Sequence, residues 1–395
     1  MKRHCLSYAD WSWREFAVIA KCLLTGQVHR GQNIARLTAA LGQFYTPSEV
    51  YLFNYAHHAI EVALGVFKQL QPDRTEVIVP AYICPSVIQA VTACGLTVRS
   101  VDVAADLNIC PVKMQAAMHC GTLAVIAPHM YGCPADIHTI EDICRSSGVF
   151  LIDDAAQVIG VRQDERLLGT FGDFGVVSFA QSKTIVTGIH GSGGVLIVNK
   201  PAYSAAIRSV WQGLPAAKHR LSAMADFLWN YVLHGTTGNS GYYLKRMYEK
   251  FNSPSLEFPV ISNISNVEAG IALEQLIRLP EILRNKLRIV NEYDAKLAES
   301  GQIEFPQYAN DRFLARVMLS LPRGVDIAAF RLLLERQGVE SRTGYPSADK
   351  VAGRLFGVPC NASMTNQDIA DICGTVISVL KQLHASKSTD HTMIH

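Results

Sequence analysis

The feature that most constrains the fold of this chain is a regular alternation between short apolar runs and segments of helical length. Six apolar runs of strand length occur, at residues 77–79, 97–101, 123–127, 149–152, 176–179 and 195–198. Segments of helical length separate the first four, at residues 84–94, 111–119 and 135–146. This alternation is typical of a parallel or mostly parallel sheet covered on both faces. Because ligands bind such sheets at the carboxyl ends of the strands, residues directly after the runs are candidate site residues.

The length of 395 residues predicts two domains, since one hydrophobic core rarely serves a chain this long. A helical pattern covers residues 267–297 with a break at Pro280, and helix and strand signals alternate after it. We predict a large domain at residues 46–265 and a small C-terminal α/β domain at residues 266–395. An N-terminal helical arm is predicted at residues 1–45.

One segment of the predicted large domain breaks the alternation. Residues 200–262 are rich in aromatic side chains and include a glycine-containing loop at residues 234–241. We predict an atypical helical insert with a loop there. The sequence leaves open whether it forms a lid, a dimer surface or part of a substrate pocket.

The composition argues against a nucleic-acid or membrane partner. Apolar residues make up 49% of the chain, charged residues 18%, and the formal net charge is +2, which is typical of a soluble globular protein. Residues 77–98 carry no charge and are long enough to span a bilayer. However, Pro80, Pro85 and Gly95 divide them into pieces of strand and helix length. We therefore expect neither a nucleic-acid partner nor a membrane partner.

The ten cysteines predict reduced thiols, not a disulfide framework or a zinc site. They are scattered singly, without a C-x-x-C pair, so the ligand spacing of a zinc site is missing and no metal is expected. The N-terminal region carries Asp10, Arg14 and Glu15 where a signal peptide would need an apolar stretch. A cytoplasmic location is expected.

An acidic dipeptide follows the fourth apolar run. Asp153 and Asp154 end this run, and Gln157 follows three residues later. A carboxylate at the end of a buried strand can hold a proton on a pyridine nitrogen. Aspartate is also a common turn and helix-cap residue, so the segment is informative only beside other motifs.

A lysine follows the fifth apolar run. Lys183 precedes a glycine-rich segment at residues 187–194. A lysine in a buried loop has a lowered pKa, which imine formation requires. The glycines would let the backbone pass close to a bulky group. Alone, a lysine before glycines also describes an ordinary surface loop.

Taken in order, these motifs resemble those of the DegT/DnrJ/EryC1/StrS aminotransferases, fold-type-I pyridoxal-phosphate enzymes that act mostly on keto-sugars. The matching segments are residues 25–31, 77–82, 101–103, 129–132, 154–157, 172–173, 178–179 and Lys183. Residues 269–276, Gly338 and residues 344–346 resemble the C-terminal pattern of the family. The resemblance implies an α/β fold with a mostly parallel central sheet, helices on both faces and a smaller C-terminal α/β domain.

The resemblance also implies catalytic roles. Lys183 would form the Schiff base with pyridoxal phosphate and, once released, move the substrate proton as general base and acid. Asp154 would pair with the pyridine nitrogen and keep the ring an electron sink. Gln157 would lie against the ring near its phenolic oxygen.

Further residues would bind the cofactor phosphate by the same resemblance. Ser178 would contribute its hydroxyl, together with backbone amides around Ala56, His57 and His58 at the start of a predicted helix. Asn263 matches an asparagine that reaches the phosphate of the neighbouring subunit. This match implies a homodimer with shared active sites.

Several positions depart from the family pattern. The phosphate loop, usually Ser-Gly-Thr, is here Tyr-Ala-His-His at residues 55–58. Cys84 occupies the position of an aromatic residue that stacks on the ring, so either a thiol packs there or Tyr82 or Tyr131 substitutes. The usual glutamate after the lysine and an Arg-Asn-His-Gly element further along are missing. His129 and Tyr131 could equally be packed core residues.

The resemblance implies transfer of an amino group from an amino acid, expected to be glutamate, to a nucleotide-linked keto-deoxysugar. One alternative is a pyridoxal-phosphate enzyme acting on a non-sugar carbonyl or amino acid. Another is a non-catalytic family member that binds the cofactor or a partner. Related sugar dehydratases replace the lysine with histidine, so Lys183 argues against that branch. The acceptor, the aminated position and the stereochemistry stay open.

Overall fold

A computed structural model gives the fold of the chain. It describes residues 3–6, 9–181, 183–188, 193–217, 224–225, 227–229, 260–298, 303, 315–345 and 352–392. The loop predicted at residues 234–241, and most of the insert predicted at residues 200–262, lie outside the described residues.

A seven-stranded sheet organises the first half of the chain, in the order β1-β9-β8-β5-β4-β2-β3. Its strands are β1 (Glu49–Phe53), β2 (Glu76–Pro80), β3 (Thr97–Val101), β4 (Thr122–Pro128), β5 (Phe150–Asp154), β8 (Phe174–Ser178) and β9 (Gly194–Val198). Of these strands, β9 runs opposite to the other six, because it is antiparallel to both neighbours while the remaining pairs are parallel. The predicted mostly parallel sheet is confirmed, and all six predicted runs are strands. Strand β1 was not predicted.

Two smaller sheets complete the β-structure of the described residues. Strands β6 (Arg162–Gln163) and β7 (Arg166–Leu167) form a short antiparallel ribbon. Strands β10 (Val317–Ser320), β11 (Arg342–Thr343) and β12 (Leu355–Val358) form a three-stranded antiparallel sheet in the order β10-β12-β11.

Eleven α-helices cover much of the described chain. They are α1 (Trp13–Leu24), α2 (Gln32–Phe44), α3 (Ala56–Leu70), α4 (Pro85–Ala93), α5 (Pro111–Ala117), α6 (Ile137–Ser147), α7 (Ser204–Gln212), α8 (Asn266–Ile277), α9 (Leu279–Ala298), α10 (Ile327–Arg336) and α11 (Asn366–Thr392). Local sequence explains several starts: Ser12 and Ser265 accept hydrogen bonds from backbone amides of the first turn, and Pro85 and Pro111 occupy first helical positions. The helical pattern breaks near Pro280, as predicted. Helix α8 ends at Ile277, α9 begins at Leu279, and Pro280 lies in the first turn of α9.

Side-chain alternation in the large sheet builds a core on each face. On β5, Leu151 packs with one apolar cluster and Ile152 with the other. Helices α2 and α8 belong to the first of these clusters, to which they contribute Leu37 and Ala269. A separate cluster surrounds the three-stranded sheet. The domain limits at residues 45 and 265 stay predictions.

Two further properties follow from the described residues. None of their helices is both long and apolar enough to cross a membrane. All ten cysteines are among the described residues, and none of them forms a disulfide.

Candidate active site

A cavity of about 260 Å³ opens at the edge of the large sheet where β1, β2, β4, β5 and β8 end. Strand β9 begins at this edge because it runs in the opposite direction. The lining consists of Tyr55, Ala56, His57, Ile60, Ile83, Cys84, Ser86, Val87, Pro128, Met130, Asp154, Ala156, Gln157, Ser178, Ala180 and Lys183. The location is the one at which mostly parallel sheets bind ligands.

The cavity brings together seven of the nine site residues named from the sequence. These are Lys183, Asp154, Gln157, Ser178, Ala56, His57 and Cys84. The other two, His58 and Asn263, do not line it. Their roles, like those of the seven, stay predictions.

Lys183 lies in the loop after β8 and is partly buried. Burial lowers the pKa of its amine, the carboxylate of Asp154 opposes that shift, and the positive charge of Arg316 adds to it. A lowered pKa increases the neutral fraction of the amine, which is the nucleophilic form. The loop therefore presents a lysine suited to imine chemistry.

Asp154 is the last residue of β5 and is buried. Its Oδ1 accepts a hydrogen bond from the Ala156 backbone N–H at 3.1 Å. Burial raises the pKa of the carboxyl group, and the positive charge of Lys183 opposes that rise. A buried carboxylate with one such bond from the described residues is suited to a cationic N–H donor, such as a protonated pyridine.

Gln157 and Ser178 both present hydrogen-bond donors to the cavity, and both are buried. The Gln157 amide faces only a weak acceptor, the Met130 sulfur at 3.9 Å. The Ser178 hydroxyl accepts from the Ala180 backbone N–H at 3.3 Å, which leaves its own hydrogen to donate. Both side chains can therefore bind acceptor oxygens of a ligand.

The start of helix α3 forms another wall of the cavity. Tyr55, the residue before the helix, makes no side-chain cap, so the helix N-terminus offers backbone amides and a partial positive charge to an anion. Gly194 allows a close approach here, since a Cβ at this position would lie 2.4 Å from the Ala56 nitrogen. This end of the cavity is suited to a phosphate.

His57 carries an unsatisfied group in the same wall. Its Nε2 is buried and has no hydrogen-bond partner in the described part of the chain, and burial lowers the pKa of the imidazole to about 4. His58 differs, because its Nδ1 hydrogen-bonds the Asn54 side-chain oxygen at 2.6 Å. The two adjacent histidines therefore have different environments, and His57 is the one that faces the cavity.

His57→Ala is expected to weaken binding of pyridoxal phosphate by about tenfold, because a buried hydrogen bond to a charged group is lost. Binding of pyridoxal, which has no phosphate, should change by less than about twofold. Fluorescence titration of the cofactor-free protein with both compounds measures this difference. An equal loss for both compounds, or no loss for either, would show that the imidazole does not contact phosphate.

Asp153, the neighbour of Asp154, faces away from the cavity and is fully buried. Its Oδ1 accepts from His129 Nε2 at 2.7 Å, and its Oδ2 accepts from the backbone amides of Gly169 and Phe171 at 2.6 and 3.1 Å. The Ala135 N–H donates to His129 Nδ1 at 2.9 Å, which assigns the ring hydrogen to Nε2. His129 is thus a packed core residue.

The sequence left open whether Cys84, Tyr82 or Tyr131 packs against the cofactor ring. Cys84 lines the cavity, and its sulfur lies 3.2 Å from the Ser86 hydroxyl. Tyr82 and Tyr131 do not line it, and their hydroxyls hydrogen-bond to each other. This arrangement favours the thiol as the group at that wall.

Some of the lining was not predicted from the sequence. Pro128 ends β4, and Met130 comes two residues after it. Their position after an apolar run was the available signal. Asn263 was expected near a phosphate of a second subunit. Its backbone N–H donates to Pro215, and its side-chain oxygen is buried with no donor among the described residues.

The residues present fit pyridoxal phosphate. The uncapped helix start and His57 suit the phosphate, Asp154 suits the ring nitrogen, and Lys183 suits the aldehyde. Over residues 11–377, moreover, the chain matches the model of the DegT/DnrJ/EryC1/StrS aminotransferase family. The chain belongs to this family. The predicted enzyme class, a pyridoxal-phosphate-dependent aminotransferase, is thereby confirmed.

Individual relatives of this aminotransferase are distant but extend over nearly its whole length. It is 24% identical over 380 residues to GDP-perosamine synthase of Vibrio cholerae, covering 90% of this chain and 93% of the relative. It is 25% identical to the spore coat polysaccharide biosynthesis protein SpsC of Bacillus subtilis, covering 93% and 94%. Among solved structures, Helicobacter pylori PseC, an aminotransferase of pseudoaminic acid biosynthesis, superposes with a TM-score of 0.78 at 14% identity, covering 96% and 100%. The last likeness shows the fold alone.

Proposed function

We propose that this aminotransferase moves an amino group from an amino acid, glutamate, to a nucleotide-linked keto-deoxysugar. The proposal rests on one observation. A single cavity is lined by Lys183, Asp154, Gln157 and Ser178. The relatives named for perosamine synthesis and for coat polysaccharide synthesis support a sugar acceptor.

The proposed chemistry assigns a task to each residue. When bound, pyridoxal phosphate supplies an electron sink for the carbon that carries the amine. Asp154 would hold a proton on the pyridine nitrogen, and Lys183 would move a proton from that carbon to the cofactor carbon that carried the aldehyde. Ser178 and the start of α3 hold the phosphate. The apolar lining, which includes Ile60 and Val87, limits access of water.

Two further assignments belong to the proposal. The unsatisfied side-chain oxygen of Asn263 supports a homodimer in which this residue contributes to the partner's site. The ten cysteines, none of which forms a disulfide, support a cytoplasmic location.

The test is a coupled reaction with purified enzyme, pyridoxal phosphate, glutamate and a panel of GDP- and dTDP-linked keto-deoxysugars. Mass spectrometry should detect an amino-sugar nucleotide that requires both glutamate and the keto-sugar. Reaction with glutamate but with no keto-sugar would favour a non-sugar carbonyl as acceptor. Bound cofactor that reacts with no amino acid would favour a non-catalytic family member.

A further inference from the structure

An arginine from the C-terminal part of the chain lies beside the cavity. Arg316 directly precedes β10, and the backbone N–H of its neighbour Ala315 donates to the Tyr131 carbonyl at 2.7 Å. Tyr131 follows Met130, which lines the cavity. The hydrogen bond therefore fixes the start of β10 next to the candidate site.

Three tyrosines form a wall next to this arginine. The Tyr82 and Tyr131 hydroxyls hydrogen-bond to each other, and the Tyr345 backbone N–H donates to the Tyr82 hydroxyl at 3.0 Å. The rings of Tyr131 and Tyr345 stack, with centroids 5.9 Å apart and planes 8° apart. Gly344 makes this contact possible, because a Cβ there would lie 2.1 Å from the Tyr82 hydroxyl.

The positive charge of Arg316 affects the pKa of Lys183 and of two tyrosines of the wall. Burial lowers the pKa of Lys183, and the Arg316 charge lowers it further. Burial raises the pKa of Tyr82 and of Tyr345, and the same charge opposes each rise. The tyrosines are neutral at physiological pH, so they give Arg316 no negative partner.

Arg316 also has no pairing partner among the described residues. Its side chain is partly buried, yet no hydrogen bond or ion pair to it occurs within the described ranges of the chain. A guanidinium carries five N–H donors and matches a carboxylate in a two-pronged geometry. A partly buried guanidinium without an anion is unfavourable unless a ligand supplies one.

We propose that Arg316 binds the carboxylate of the amino donor, and this inference rests on the proposed function. In an amino acid, the α-carboxylate and the reacting amine share one carbon, so an anion site within electrostatic reach of Lys183 suits that carboxylate. In a nucleotide sugar, the anionic group is phosphate attached to the anomeric carbon. The sugar ring separates this phosphate from a ketone on the opposite side of the ring.

Arg316→Gln tests this assignment in the cofactor-loaded enzyme. The apparent dissociation constant for glutamate, measured from the absorbance change on reaction with glutamate alone, should rise by about 10- to 100-fold. Arg316→Lys should give an intermediate value, since charge remains but the planar fork is lost. Reaction with an amine that lacks an α-carboxylate, 4-aminobutyrate, should change by less than about threefold. Calorimetry with glutarate, a non-reacting dicarboxylate, should show the same weakening without turnover.

The matched control is Arg323→Gln, which changes an exposed arginine in the turn after β10 and should leave all these values unchanged. Unaltered glutamate and glutarate binding in Arg316→Gln would overturn the assignment. So would a loss confined to the keto-sugar nucleotide, which would indicate a phosphate contact. These outcomes differ from failure of the proposed function, in which the unmodified enzyme itself reacts with no amino acid or no keto-sugar.

Discussion

Replacement of Lys183 by alanine is expected to lower the rate of transamination by about 10³-fold or more. The amine would be lost both as the covalent attachment point of the cofactor and as the group that moves the substrate proton, and each loss is large. Single-turnover measurements with glutamate give the rate. Visible absorbance of the purified protein shows whether the cofactor is still attached as an imine.

Lys113→Ala is the matched control for this experiment. Lys113 Nζ lies 2.7 Å from Asp102, both side chains are largely exposed, and such surface pairs contribute little. The control should keep its cofactor absorbance and its rate. If Lys183→Ala kept a rate within about tenfold of the unmodified enzyme, the assignment of Lys183 would be wrong.

The second large effect is on stability and concerns Asp153. Asp153→Ala is expected to lower the free energy of unfolding by about 3–5 kcal/mol, because it leaves three buried donors without an acceptor. These donors are His129 Nε2 and the backbone amides of Gly169 and Phe171. Urea unfolding of the cofactor-free protein measures the change.

Asp154→Asn provides the comparison within the same strand. Because burial raises the pKa of Asp154, ionisation of this carboxyl group opposes folding as the pH rises through and above its ordinary pKa. The variant should therefore unfold at the same or slightly higher urea concentration at pH 7, while activity falls by about 10²-fold or more. Equal destabilisation by Asp153→Ala and Asp154→Asn would contradict a structural role for Asp153 and a catalytic role for Asp154.

The large sheet and the location of the site could be predicted because their signals are local. Buried parallel strands read as continuous apolar runs, and the cavity lies where those runs end. Strand β1 was missed although residues 50–53 are a buried apolar run, because it precedes the alternation that begins at residue 77 and pairs with the distant β9. Nothing in the residues near Glu49–Phe53 indicates that pairing.

The resemblance singled out Asp154, but the buried hydrogen-bond network of Asp153 could not be predicted from composition or motif. The residues are identical and adjacent, and only the position of β5 in the sheet decides which face each one occupies. The hydrogen bonds of Ala315 with Tyr131 and of Tyr345 with Tyr82 could not be predicted either. They join parts of the chain that are close in space but distant in sequence, and a linear pattern carries no record of such contacts.

The network of Asp153 and His129 has a consequence for how this family can evolve. It holds the strand ends through bonds that involve neither Lys183 nor Asp154. A chain in which Lys183 or Asp154 is substituted should therefore still fold and keep its cavity. Descendants that bind without reacting, or that adopt a different reaction, are therefore one substitution away.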